Sequence, residues 1–206
     1  MEKTVKLTKN ELRVQKDKLK MYERYLPTLE LKKQQLQTVM MKVTAELEEK
    51  EKERSGMLNG LDEWVAVFAE NTIFTEEKKL EELVRPKDVE CGEENIAGVT
   101  VPVFKELSFE EIEYDIEDYP LWVDTAVLKL RDIARLDALA NTLRKQVELL
   151  EKELRSTAQR VNLFEKVKIP ETQENIRKIA VALQDQQTAG VVHGKIAKKK
   201  LTGAAG

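Results

Sequence analysis

The feature that most constrains this chain is an apolar stripe that recurs every three and four residues at both ends of the sequence. Leu12, Leu19, Leu26, Met40 and Leu47 fall on one seven-residue series, with Lys33 as the polar break in it. Tyr22, Leu29, Leu36 and Val43 fall on a partner series three residues later. A seam of this period belongs to a helix that buries one narrow stripe against a second helix. Thr8-Lys-Asn-Glu11 reads as a capping box, so the helix is expected to start there and to run to about Ser55. Pro27 falls off the seam and removes one backbone donor, which predicts a bend near Glu23–Pro27 rather than an end.

The second stripe is longer. Leu136, Leu143, Leu150, Thr157 and Phe164 form one series, and Ala140, Val147, Leu154 and Val161 the other. Around Pro170 the stripe resumes as Ile169, Ile176, Ile179 and Leu183, one residue out of phase with the earlier frame. A slip of this kind changes the supercoil locally. Pro120 suits the first turn of this helix, and Gly190 and Gly194 are expected to end it, leaving a basic tail.

Between the stripes the pattern changes. Ser55-Gly-Met-Leu-Asn-Gly60 reads as a break. Leu61, Trp64, Val65 and Phe68 suggest one short helix. Thr75, Leu80, Leu83 and Val84, stopped before Pro86, suggest another. Val99, Val101 and Val103 alternate with Thr100 and Pro102 after the turn-like Gly92–Gly98 stretch. With Val89 and Cys91 opposite, they predict a β-hairpin over about 87–104. Pro102 confines its strand to an edge, and an isolated hairpin needs a surface to pack on. Cys91 is expected half-buried in it, and Trp64 and Trp122 in a small core of the insert.

The fold expected is all-α: a long antiparallel two-helix coiled coil with a small mixed insert of short helices and a β-hairpin. Its divisions are an N-terminal coiled-coil helix (1–57), the insert (58–119), a C-terminal coiled-coil helix (120–189) and a flexible basic tail (190–206). Composition agrees, because 35% of residues are charged and only 5% aromatic, as in long exposed helices rather than a compact globule.

Charge is distributed unevenly. Lys3, Lys6, Lys9, Arg13, Lys16, Lys18 and Lys20 crowd the N-terminus, and Lys195 opens a lysine-rich C-terminus. From Glu76 to Asp118 there are 15 acidic residues against five basic ones. If the chain folds back on itself, a basic end and an acidic end imply two different partners.

Catalytic chemistry is not visible. One cysteine and one histidine, Cys91 and His193, cannot build a disulfide or a zinc site. Gly190-Val-Val-His-Gly194-Lys195 is one residue short of a phosphate loop, has Ile196 where a hydroxyl is needed, and follows a helix. Glu110-Glu111 sits in so acidic a stretch that a solvated face is the simpler reading. The lysines of the tail lack the interleaved aromatics of a nucleic-acid module. No apolar run long enough to cross a membrane and no signal segment are present, so a cytoplasmic protein without cofactor, metal or nucleic acid is expected.

Arg160-Val-Asn-Leu-Phe-Glu165, followed by Ile169-Pro170 and Asn175-Ile-Arg-Lys-Ile179, resembles the C-terminal helix of the D-subunit family of V/A-type rotary ATPases. Leu7-Thr-Lys9 with Leu12 and Leu19 is similar to that family's N-terminal helix start, although Leu7 stands where the family usually carries Pro. Glu94-Asn95-Ile96 with Gly98-Val99 and Val101-Pro102 is similar to its central hairpin. The resemblance implies a non-catalytic central rotor axle, peripheral to the membrane, that couples ATP hydrolysis or synthesis to proton or sodium transport. It implies that Lys3, Lys6, Lys9, Arg13, Lys16, Ile179, Leu183 and Lys195 face a ring of A and B subunits. Arg160, Asn162, Val99 and Val101 would serve the small F subunit or hairpin docking, and a C- or d-type rotor socket would hold the insert end. A gamma-type shaft of an F-type synthase and a non-rotary coiled-coil adaptor are the alternatives. The first lacks support because no α/β domain fits in the insert.

Overall fold

The structure is a computed structural model that describes residues 5–69, 83–112 and 122–203. Its elements are α1 (Lys9–Ala69), β1 (Pro86–Ile96), β2 (Val99–Phe109), α2 (Val123–Leu163), a π-helical turn (Phe164–Lys168) and α3 (Ile169–Gly203). The expected Thr75 cap, Leu80 and Pro120 lie outside the described residues. The chain divides into two compact units, one of 1–33 with 156–206 and one of 34–155.

In the unit of 34–155, the predicted seam forms. Leu36 and Leu150 are fully buried, and Val43, Leu143 and Val101 join them in one cluster edged by Val39, Leu47, Leu139, Val147 and Leu154. Removing side chains of this size from water stabilises by about 2 kcal/mol each. Two ion pairs fix the helix direction. Glu51 pairs with Arg144 and Arg54 with Asp137, so the partner number falls as the α1 number rises. The helices are therefore antiparallel. These pairs are half-exposed and contribute at most about 1 kcal/mol each, so apolar burial decides the fold.

The break expected at Ser55–Gly60 does not occur. α1 runs straight through it to Ala69, and Trp64, Val65 and Phe68 belong to this helix rather than to a separate one. The half-buried positions Lys50, Arg54, Met57 and Leu61 continue the seven-residue frame from Leu47. Gly56 and Gly60 each cost about 1 kcal/mol against alanine, and the continued seam outweighs that. Ser55 is absorbed by donating its hydroxyl to the Glu51 carbonyl at 2.8 Å.

The hairpin is longer than expected, with β1 and β2 each covering eleven residues. Its turn is confined to Ala97-Gly98, with φ of 52° and 81°, the two positive angles of the tight turn that suits a right-twisted hairpin. The Asn95 side-chain oxygen accepts from the Gly98 N–H at 3.0 Å. Gly92, expected in the turn, instead pairs with Val103 inside the ladder. A Cβ there would lie 2.8 Å from Lys105 Cε, so glycine lets that lysine cross the sheet. Among the described residues the sheet has two strands, so Pro102 is on an edge there, as its chemistry requires. Cys91 is exposed rather than half-buried, as is every residue of β1 from Pro86 onward up to it, and it stands opposite Phe104 in the ladder. A second small cluster joins Leu83, Val123 and Val127 with Val84, Ile112 and Trp122.

In the other unit, Thr8 caps α1, its hydroxyl oxygen accepting from the Glu11 N–H at 3.3 Å. The reciprocal half of the capping box is not made. The Thr8 N–H donates to the Lys6 carbonyl, and the Glu11 carboxylate accepts from Gln15 at 2.8 Å. α1 continues through Pro27 without ending. Val161, Thr157, Thr172 and Ile179 are buried, with Tyr22 and Phe164 rings meeting at 5.2 Å and a 48° tilt.

The one-residue slip in the stripe has a local structure. Phe164–Lys168 is a π-turn, in which the Ile169 N–H reaches back five residues to the Phe164 carbonyl. The turn takes in one extra residue, so Thr172, Ile176, Ile179 and Leu183 return to the seam. Pro170 follows directly. In a regular α-turn its ring would clash with the Lys166 carbonyl, and the wider turn relieves that contact.

The helix end expected at Gly190 and Gly194 is also corrected, because α3 continues to Gly203. Two isolated glycines weaken a helix without stopping it when good helix formers surround them.

Candidate partner-binding surfaces

The described residues hold no group of three or more His, Cys, Asp or Glu that could bind a metal. No helix in the described residues is long and apolar enough to cross a membrane. The candidate sites are therefore surfaces, and burial sorts the expected contact residues.

In the unit of 1–33 with 156–206, Lys6, Lys9, Arg13 and Lys16 are exposed at the start of α1 and just before it, where the Thr8 cap fixes the helix. Lys3 lies outside the described residues. Lys195 is exposed on α3. Ile179 is 0% exposed and so seals the seam inside the chain, which removes it from the outward-facing set. Leu183 is half-buried and is the last leucine of that seam. From Asp185 to Lys200 every residue of α3 is exposed, including Val191 at 59%, Val192 at 48% and Ile196 at 48%. This bare stretch carries apolar groups that the reading of 190–206 as a tail overlooked. The paired Val191-Val192 with Ile196 was the signal for it. Arg160 and Asn162 are exposed on the last turn of α2, beside Leu163 at 43%.

In the unit of 34–155, Val101 is also 0% exposed. It is the hairpin's plug in the helical core and is not free for a partner, while Val99 is half-buried beside it. Gln146, which the sequence did not single out, fastens the hairpin. Its side-chain amide donates to the Pro102 carbonyl at 2.6 Å, and the residue is 6% exposed. With one face of the hairpin spent on this docking, exposed Glu93, Glu90 and Glu106 remain outside it, the last two directly opposite each other. Like charges in that arrangement cost stability and give the hairpin an acidic field. On α1, the hydrogen bond from Lys50 to Glu53, and then that carboxylate's charge, hold the Lys50 ammonium above its usual pKa. An open groove of about 480 Å³ lies between Glu53, Gly56, Met57, Gly60 and Leu61 of α1 and Ala126 and Lys129 of α2. Neither glycine has a heavy atom within 4 Å of where a Cβ would stand, so both positions open onto space.

Comparison with known proteins gives this arrangement a family. Residues 11–199 match the model of the ATP synthase D-subunit family. The V-type ATP synthase D subunit of Borreliella burgdorferi is 44% identical over 197 residues, covering 96% of this chain and 95% of that protein. The proteins of the same name from Chlamydia felis and Chlamydia muridarum are 37% and 35% identical, over 98% of this chain and 95% and 98% of theirs. The similarity runs through both long helices and the hairpin, and it favours neither the gamma-type shaft nor the free-standing adaptor. The chain belongs to the D-subunit family of ATP synthases.

Proposed function

We propose that this chain is the central rotor axle of a V-type rotary ATPase, coupling ATP hydrolysis or synthesis in a ring of A and B subunits to proton or sodium movement across a membrane. The observation that carries this reading is the family match over residues 11–199, which reaches every described element. The chain's work is mechanical, and it is peripheral to the membrane.

The apolar seam supports such a role, because its burial resists separation of the helices. An asymmetric shaft that turns inside a ring presents a different face to each subunit interface in succession. Each interface then shifts its conformational equilibrium by the difference in contact free energy. Lys3, Lys6, Lys9, Arg13, Lys16 and Lys195 with the bare stretch of α3 are assigned to the ring. Arg160 and Asn162, with Val99 holding the hairpin in place, are assigned to the F subunit, and a C- or d-type rotor component provides the socket. Screening of the basic groups by salt would weaken the ring contact over a Debye length of about 8–10 Å.

The test is co-expression with the A, B and F subunits of the same genome, followed by size-exclusion chromatography and an ATPase assay. Co-elution with the A and B subunits together with altered hydrolysis is expected. A stable homodimer that ignores A, B and F would sink the reading.

A further inference from the structure

We propose that the π-turn Phe164–Lys168 is a twist-compliant joint in α2–α3, a place where the helix changes its local winding while the same side chains stay in the seam. The use of such a joint rests on the axle reading; its existence does not.

The argument begins with the spacing of the buried residues on either side. Val161 is 5% exposed and Thr172 4%, and they are eleven residues apart. A heptad seam would bring contacts after three, seven and ten residues, not eleven. Eleven residues over three turns is a spacing that an ordinary α-helix also satisfies, with local loss of the left-handed supercoil. Two backbone solutions therefore keep Val161 and Thr172 buried. One gathers the spare residue into a π-turn and leaves the flanking turns supercoiled. The other spreads it over straight α-helix. They differ in twist and not in which side chains are covered.

Nothing in the packing holds the spare residue in one place. No residue of Phe164–Lys168 is buried, and Glu165, Lys166 and Val167 are exposed, Val167 at 47%. The ends, by contrast, are pinned. The Phe164 ring lies against Tyr22, and the Thr172 hydroxyl donates to the Lys168 carbonyl at 2.6 Å. The Lys168 ammonium reaches Glu171 at 3.2 Å. A loosely packed middle between fixed ends is the arrangement in which twist concentrates.

Pro170 sets the balance. In the straight α-helical solution its ring would meet the Lys166 carbonyl, so the proline favours the π-turn. It also supplies no N–H, which thins the hydrogen-bond ladder at the joint. The two features coincide within one turn, and Pro27 shows that a proline alone does not produce a π-turn, because α1 stays α-helical there.

The experiment is amide hydrogen exchange on the full chain, as the native sequence and as Pro170→Ala. In the native chain the amides of Glu165–Ile169 and Glu171 should exchange about tenfold faster than those in the turns of Val161 and Ile179. In Pro170→Ala that gap should close, while protection at Val161, Thr172 and Ile179 and the melting temperature do not fall. Uniform protection in the native chain, or loss of protection at the flanking seam in the variant, would overturn the joint. For its use, a membrane-reconstituted ATPase carrying Pro170→Ala should assemble and hydrolyse ATP with ions moved per ATP reduced by about twofold or more. Unchanged transport would overturn that use. Failure of the native chain to join the ATPase would sink the axle reading and leave the exchange result standing.

Discussion

Gln146 holds Pro102 by a 2.6 Å hydrogen bond between a buried side-chain amide and a strand carbonyl, and this bond joins the hairpin to α2. Proline offers no N–H to the ladder, so its carbonyl is the polar group through which the strand is fixed from the helix side. Gln146→Ala leaves that carbonyl without its donor and should cost about 1–3 kcal/mol. The loss should be local. Hydrogen exchange of 99–104 should quicken while protection around Leu36 and Leu150 persists; equal loosening of both would show that the hairpin is not separately docked.

Leu36 and Leu150, both fully buried in one cluster, should behave differently from any charged pair on the surface. Either leucine changed to alanine is expected to lower stability by about 2–5 kcal/mol, read from urea unfolding followed by circular dichroism. A loss under about 1 kcal/mol would mean that the seam is not what stabilises this unit.

The Arg144–Glu51 pair, at 2.6 Å but with side chains 53% and 42% exposed, looks strong by distance and is weak by environment. A double-mutant cycle with Arg144→Ala and Glu51→Ala should give a coupling of about 0.2–1 kcal/mol that shrinks with added salt. A coupling well above that range and indifferent to salt would contradict the primacy of apolar burial over charge pairing in this fold.

Gly56→Ala and Gly60→Ala should each stabilise the chain, by about 0.5–1 kcal/mol, because a Cβ at either position meets open space and the helix gains in propensity. The same methyl groups narrow the groove beside Ala126 and Lys129. A rise in melting temperature with weakened retention by the assembled ATPase would place a partner in that groove. A rise with unchanged retention would leave it empty.

The seam was legible from the sequence because leucine and valine marked most of its positions, and the hairpin because Val99, Val101 and Val103 alternate. Where polar residues occupy seam positions the pattern faded. Lys50 and Arg54 are half-buried in the frame where no apolar residue marks it, because long side chains can cover apolar surface with their stems and still reach water. Gln15 and Gln146 are buried yet read as surface residues, since their partners, Glu11 and the Pro102 carbonyl, are set by geometry that composition does not carry. Glycine misled twice, at Gly56–Gly60 and at Gly190–Gly194, because its helix penalty is a small fraction of what a long helix gains elsewhere. The slip between Val161 and Ile176 was visible as a number, but its backbone form was not: a skipped residue has two solutions, and Pro170 tips the choice. Among the contacts that the family resemblance implied, Ile179 and Val101 are apolar residues at seam and strand positions, and the fold buries both.

The bare stretch of α3 from Asp185 to Lys200 has a thermodynamic consequence. A helix without side-chain packing is marginal in water, yet this one needs no nucleus, because the turns through Ile179 and Leu183 are already formed and buried or half-buried. Its ordered length is therefore an equilibrium that advances or retreats one residue at a time from a fixed base. Whatever surface receives Val191, Val192 and Ile196 completes the helix as it binds, so depth of insertion and degree of folding become a single variable.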